Sequence, residues 1–205
     1  MAEAGGHSRH GPHRVRPMAE ILLFHSALGL TPGCRAFADE LRSAGHVVHT
    51  PDLYDGMTFA DVAEGVNHAQ EIGFDTVVER GRRRAEDLPG ALVYAGFSLG
   101  VMPAQMLAQT RPGARGAVLM HSAVPLGTFA PAWPPDVALQ VHTKEKDDWG
   151  DADIAKDLVD AVPGAELYLY EGDRHLFTDR SAADFEPEVA RALMARMLDF
   201  VGRVA

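Results

Sequence analysis

The sequence predicts an α/β fold: a single domain on one mostly parallel, doubly wound sheet of about six strands, with helices on both faces. Three observations carry that expectation. Short apolar runs alternate with stretches of helical periodicity from Met18 to the C-terminus. The runs are apolar at nearly every position, as in strands buried on both sides, rather than alternating as in a sheet with one wet face. One run ends in Gly96-Phe97-Ser98-Leu99-Gly100 just ahead of a helix-like segment, a G-x-S-x-G turn between strand and helix.

The elements follow in order. Residues 21–25 form a continuous apolar run and read as the first strand. A loop over 26–32 leads into a helix over about 33–44, with Phe37, Ala38 and Leu41 on one face and Gly45 closing it. Residues 46–50 give the second strand, and Pro51-Asp-Leu-Tyr-Asp-Gly56 a loop. Thr58 with Asp61 resembles an N-cap pair for a polar helical region that runs to about Leu88 and breaks near Gly73. Pro89-Gly90 turns into the strand before Ser98, and the helix after it continues to about Thr110. Residues 116–121, 137–143 and 165–170 are the fourth to sixth strands, with a helix over 151–162 between the last two. A final helix over about 183–201 carries Val189, Leu193, Met197 and Phe200 at helical spacing. The proline-rich stretch 124–135 reads as a loop, so no linker divides the chain.

Residues 1–17 hold three histidines and three arginines but no apolar stretch, and read as a disordered leader ahead of a domain over 18–205. His7, His10 and His13 are taken as part of a flexible polar tail rather than a metal site. The formal net charge of -10 speaks against nucleic acid as a partner. The basic run Arg80-Gly-Arg-Arg-Arg84 is flanked by Glu79, Glu86 and Asp87 and reads as a solvated helix face. No apolar run approaches the ~20 residues needed to cross a bilayer, so no membrane association is expected. Cys34 is the single cysteine, which excludes an internal disulfide and points to a reducing, cytoplasmic setting. It is expected to be a small packed residue rather than a reactive thiol. Neither H-E-x-x-H, G-x-G-x-x-G nor a P-loop occurs, and no cofactor or metal is expected.

Ser98 at the tip of the turn is the candidate nucleophile. A serine hydroxyl needs a general base, and that base an orienting acid. In sheets with this turn the chain order is serine, acid, histidine. His175, in the loop after the sixth strand, is the candidate base. The acid belongs after the fifth strand, where Asp147 is favoured and Asp148 and Glu145 are the alternatives. The backbone N–H groups of Leu99 and Ala27 hold the positions of an oxyanion hole. Phe129, Trp133 and Trp149 follow strand ends and read equally as pocket walls or as a packed flap, and Ser26 near the same edge is a further candidate for the substrate pocket. His25 and His121 end strands there too and read as structural histidines.

The chain resembles the dienelactone hydrolase family of the α/β-hydrolase superfamily from Met18 onward. The resemblance rests on Leu22-Leu-Phe-His-Ser-Ala-Leu-Gly29, the helix ending in Gly45, Thr50-Pro-Asp-Leu-Tyr54, the serine turn, and Glu171-Gly-Asp-Arg-His-Leu-Phe177. It implies an α/β-hydrolase fold, a triad and acyl chemistry on a small-molecule substrate. Three departures stand out. The family carries a cysteine where this chain has Ser98. It carries a glutamate in the loop after the first strand, where this chain has Ser26. It also carries arginines for a substrate carboxylate, one of them at the position of Asp179. A carboxylate facing Asp179 would meet repulsion, which argues against dienelactone itself.

The expectation is therefore a serine hydrolase of a small ester, thioester or lactone. A non-catalytic or weakly active binding protein on the same fold is the alternative, as is an acyltransferase using the same triad.

Overall fold

The central strands are apolar because both of their faces are covered, whereas the edge strands are partly open. The computed structural model describes residues 18–205, so the leader over 1–17, with His7, His10 and His13, lies outside the described residues. The strands are β1 (Glu20–Phe24), β2 (Val47–His49), β3 (Val93–Phe97), β4 (Gly116–Met120), β5 (Ala138–Lys144) and β6 (Glu166–Tyr170). The helices are α1 (Pro32–Ser43), α2 (Val62–Ile72), α3 (Phe74–Arg84), α4 (Val101–Thr110), α5 (Ala152–Ala161) and α6 (Pro187–Val204).

All pairings are parallel, in the order β2-β1-β3-β4-β5-β6. The pleat sorts side chains by parity. Ile21, Leu23, Val93, Ala95, Val118 and Met120 face α1 and α6, which contribute Phe37, Leu41, Leu193, Met197 and Phe200. Leu22, Phe24, Tyr94, Ala117, Leu119 and Val141 face the other layer, with Ala69, Val77, Ala104, Leu107 and Leu158 from α2 to α5. Strand order reverses direction between β1 and β3, the place in such sheets where ligands bind beyond the carboxyl ends.

Several boundaries differ from the sequence reading, among them the end of α3, at Arg84 rather than near Leu88. Asp61 alone caps α2, its Oδ1 accepting from the Ala63 and Glu64 amides at 2.8 and 3.2 Å, while Thr58 packs in the loop against Gly29. The last helix begins at Pro187 rather than near Ala183. Residues before it are consumed by a loop in which the Glu186 amide donates to Phe177 O at 2.9 Å, and Pro187 supplies a first-turn residue needing no N–H acceptor. The break at Gly73 is as expected: its φ of 85° ends α2 and starts α3. Arg82, Arg83 and Arg84 form a solvated face, with Arg82 and Arg83 paired to Glu79, while Arg80 is half-buried and donates to Leu53 O at 2.6 Å.

Candidate active site

Ser98 sits on a tight junction. Its φ is 49°, a left-handed conformation that lifts the side chain out between β3 and α4. The flanking glycines are a steric necessity. A Cβ on Gly96 would lie 2.2 Å from Gly100 O, and one on Gly100 would lie 2.5 Å from both Phe24 O and His25 O. The junction therefore rests directly on the end of β1. The turn after β1, which carries Ala27, is closed by Gly29 N donating to Ser26 O at 3.1 Å.

The candidate acid and base come from the loops after β5 and β6. The Ser98 hydroxyl donates to His175 Nε2 at 2.7 Å, and His175 Nδ1 donates to Asp147 Oδ2 at 2.7 Å. The tautomer follows from the carboxylate, which only accepts. Asp147 is buried, whereas the alternatives Asp148 and Glu145 are exposed. Its second oxygen accepts from the Trp149 amide at 2.9 Å, and the Gly150 amide donates to Asp147 O at 3.0 Å. Thr143 Oγ1 donates to Gly150 O at 3.1 Å, closing the acid turn. The His175 amide donates to Asp184 Oδ2 at 3.1 Å, tying down the loop that carries the imidazole.

The candidate pocket residues separate. Trp149 is 47% exposed, with its ring centroid 6.4 Å from that of His175, so it stands beside the hydroxyl–imidazole pair. Trp133 is buried in the core, its indole N–H donating to Val137 O at 2.6 Å, which makes it part of a packed flap and not an open wall. Phe129 is half-buried in the same flap, which Gln105 and Gln109 of α4 stitch down through Val124 O at 2.7 Å and Leu126 O at 3.2 Å. Ser26 is buried and its hydroxyl accepts from the Leu28 amide at 3.2 Å, so it braces the turn rather than lining a pocket.

Asp179 is buried and accepts from Thr31 Oγ1 at 2.7 Å and from the Ser181 amide at 2.8 Å. Thr31 and Ser181 in turn accept from the Cys34 and Gly33 amides of the first turn of α1 at 2.9 and 2.8 Å. The expected repulsion of a carboxylate is thereby corrected: this carboxylate is spent on a helix N-terminus, where the positive end of the dipole favours it. Cys34 is buried, and burial first, then the Asp179 charge, pushes its thiol up to about 12, so it is a packed residue.

Two further buried histidines follow β1 and β4. His25 Nδ1 donates to Ser26 O at 2.7 Å and its Nε2 accepts from the Leu53 amide at 2.9 Å, a fully structural role. His121, with φ 70°, bonds Thr178 Oγ1 at 2.7 Å and packs edge-on to His175 with centroids 6.0 Å apart. Sequence reasoning missed Asp184 and Lys144, both of which brace the His175 loop. No local pattern marks either one.

A family model, the dienelactone hydrolase family, matches residues 9–205. The chain belongs to the dienelactone hydrolase family. Solved structures of similar fold agree. A putative dienelactone hydrolase from Klebsiella pneumoniae superposes with a TM-score of 0.69 at 18% identity, covering 92% of this chain and 88% of its own. A dienelactone hydrolase-like promiscuous phosphotriesterase from metagenomic libraries gives 0.72 at 15% identity over 93% and 88%. Mouse alpha/beta hydrolase domain-containing protein 10 gives 0.68 at 15% identity over 91% and 90%. A search of curated proteins finds no match. Membership in the dienelactone hydrolase family makes this an α/β hydrolase with a small-molecule substrate. Among the described residues, no helix is long and apolar enough to cross a membrane.

Proposed function

We propose that this member of the family is a serine hydrolase that cleaves a small ester, thioester or lactone through an acyl-enzyme. Ser98 Oγ attacks the carbonyl carbon while His175 Nε2 takes its proton. Asp147 holds the imidazole with Nδ1–H toward the carboxylate and stabilises the imidazolium. The Leu99 and Ala27 amides receive the developing oxyanion. On collapse, His175 gives its proton to the departing alcohol or thiol. Water, deprotonated by His175, then releases the acid and restores Ser98. Trp149 offers an apolar wall for the acyl or leaving group. The single buried thiol, Cys34, supports a cytoplasmic setting.

One observation carries this reading: the unbroken hydroxyl–imidazole–carboxylate chain, with both contacts at 2.7 Å, on a serine held at positive φ. A binding protein that had discarded catalysis would have no need to keep three loops in that register. A fluorophosphonate incubated with the protein is expected to form one adduct, located at Ser98 by mass spectrometry and absent in Ser98→Ala. An unlabelled protein, or turnover of p-nitrophenyl esters unchanged in Ser98→Ala, overturns the proposal.

A further inference from the structure

Lys144 ends β5 three positions before Asp147, and its side chain is 1% exposed. Burying an ammonium costs several kcal/mol unless every N–H finds a partner. All three partners here come from one segment. Nζ donates to Glu171 O at 3.0 Å and to Glu186 Oε2 at 2.5 Å, and it lies 5.3 Å from the centroid of the Phe177 ring. The segment over 171–186 thus begins and ends on this one cation, and His175 stands between the two attachment points.

The wrapping is close. Gly172 has φ 101°, and a Cβ there would come within 3.1 Å of Lys144 Nζ. The backbone closes the same ring: Lys146 N donates to Gly172 O at 3.2 Å, Glu145 N to Tyr170 O at 3.1 Å, and Glu186 N to Phe177 O at 2.9 Å. The other oxygen of Glu186 meets Arg174 at 3.5 Å, next to the base. One residue of the acid-bearing strand therefore anchors the loop that carries the imidazole.

We propose that Lys144 is a positioning residue for the base: its buried ammonium holds the 171–186 loop so that His175 reaches both Ser98 and Asp147. This rests on the serine-hydrolase reading above. Lys144 touches neither serine nor substrate, so it acts only through the place it gives His175. A displacement of about 1 Å at a reacting group is worth on the order of 10²-fold in rate.

The test replaces the ion pair by an apolar pair in Lys144→Met/Glu186→Leu, a change that buried pairs commonly tolerate in stability. The hydrogen bond to Glu171 O is lost with it. For p-nitrophenyl ester hydrolysis, kcat is expected to fall about 10- to 100-fold with KM within about twofold, and fluorophosphonate labelling of Ser98 to slow in parallel. A folded double variant, by circular dichroism, with wild-type kcat overturns the proposal. If that variant does not fold, Glu186→Ala carries the test, since Glu186 is 25% exposed and water can replace it. There kcat is expected to drop about tenfold at constant KM, and unchanged kcat overturns the proposal. Wild-type protein that takes no label at Ser98 fails the hydrolase reading itself. Wild type that labels, with a double variant labelling equally fast, fails only the role of Lys144.

Discussion

At the scale of single residues, the site divides functions among near neighbours in sequence. Asp147 and Asp148 are adjacent, yet only Asp147 meets an imidazole. Asp147→Asn is expected to leave the fold intact and lower kcat by about 10⁴-fold, because an amide can hold the wrong tautomer; steady-state kinetics on a p-nitrophenyl ester measure it. Trp149 is 47% exposed beside His175, so Trp149→Ala is expected to raise KM for an aryl ester severalfold more than for an alkyl ester, with kcat little changed. Equal effects on both esters remove Trp149 from the substrate pocket. Asp179 offers a sharper trial of the family comparison. Asp179→Arg installs the charge that the family resemblance implies for a substrate carboxylate, but at a buried position facing the N-terminus of α1. It is expected to cost about 3 kcal/mol or more in urea denaturation and to give no gain on carboxylate-bearing esters.

At the scale of elements, β1, β4 and β5 each set a histidine in the interior, His25 and His121 just past their strands and His142 within β5. Burial holds His25 and His121 below the usual range, and brings His142 down to about 3, with the Arg196 charge adding to the effect. In the unfolded chain they protonate near pH ~6.5. Between that value and the native one, unfolding takes up protons, so stability is full above pH ~6.5 and falls as pH drops toward about 3. Each such histidine contributes a slope of at most about 1.4 kcal/mol per pH unit. His142→Gln, which can still bond Tyr170 and Gln140, is expected to flatten the decline of the urea midpoint between about pH 6 and about pH 4.

The same elements show what a sequence discloses. Strands buried on both faces announce themselves as apolar runs, and Gly96 and Gly100 are dictated by backbone contacts within reach of a local pattern. The recurrence of His-Ser-Ala at 25–27 and 121–123 marks two strand ends on one sheet edge, β1 and β4. Lys144 and Asp179 stayed hidden because lysine and aspartate are exposed by default. Their burial is decided by partners 27 to 148 positions away. The start of α6 was misplaced for a related reason: residues 183–186 have helical character but are held by Phe177 O in a loop.

At the scale of the whole molecule, one sheet edge gathers the loops after β1, β3, β5 and β6 around a serine, on a chain of formal net charge -10. Such a field repels anionic esters and leaves neutral ones alone. The kcat/KM of a carboxylate-bearing ester is expected to rise between about 0.02 and about 0.5 M salt, while that of a neutral ester stays level. A flat response from both places the site outside the reach of the net charge. The state of Cys34 has a practical consequence for the same edge. Since that sulfur is sealed beneath α1 and stays protonated at any physiological pH, iodoacetamide finds no background target in the native protein. A Ser98→Cys variant would then present a solitary alkylatable group, and the pace of its carboxamidomethylation would read out, without any ester at all, how strongly the neighbouring imidazole activates whatever atom stands at the tip of the turn.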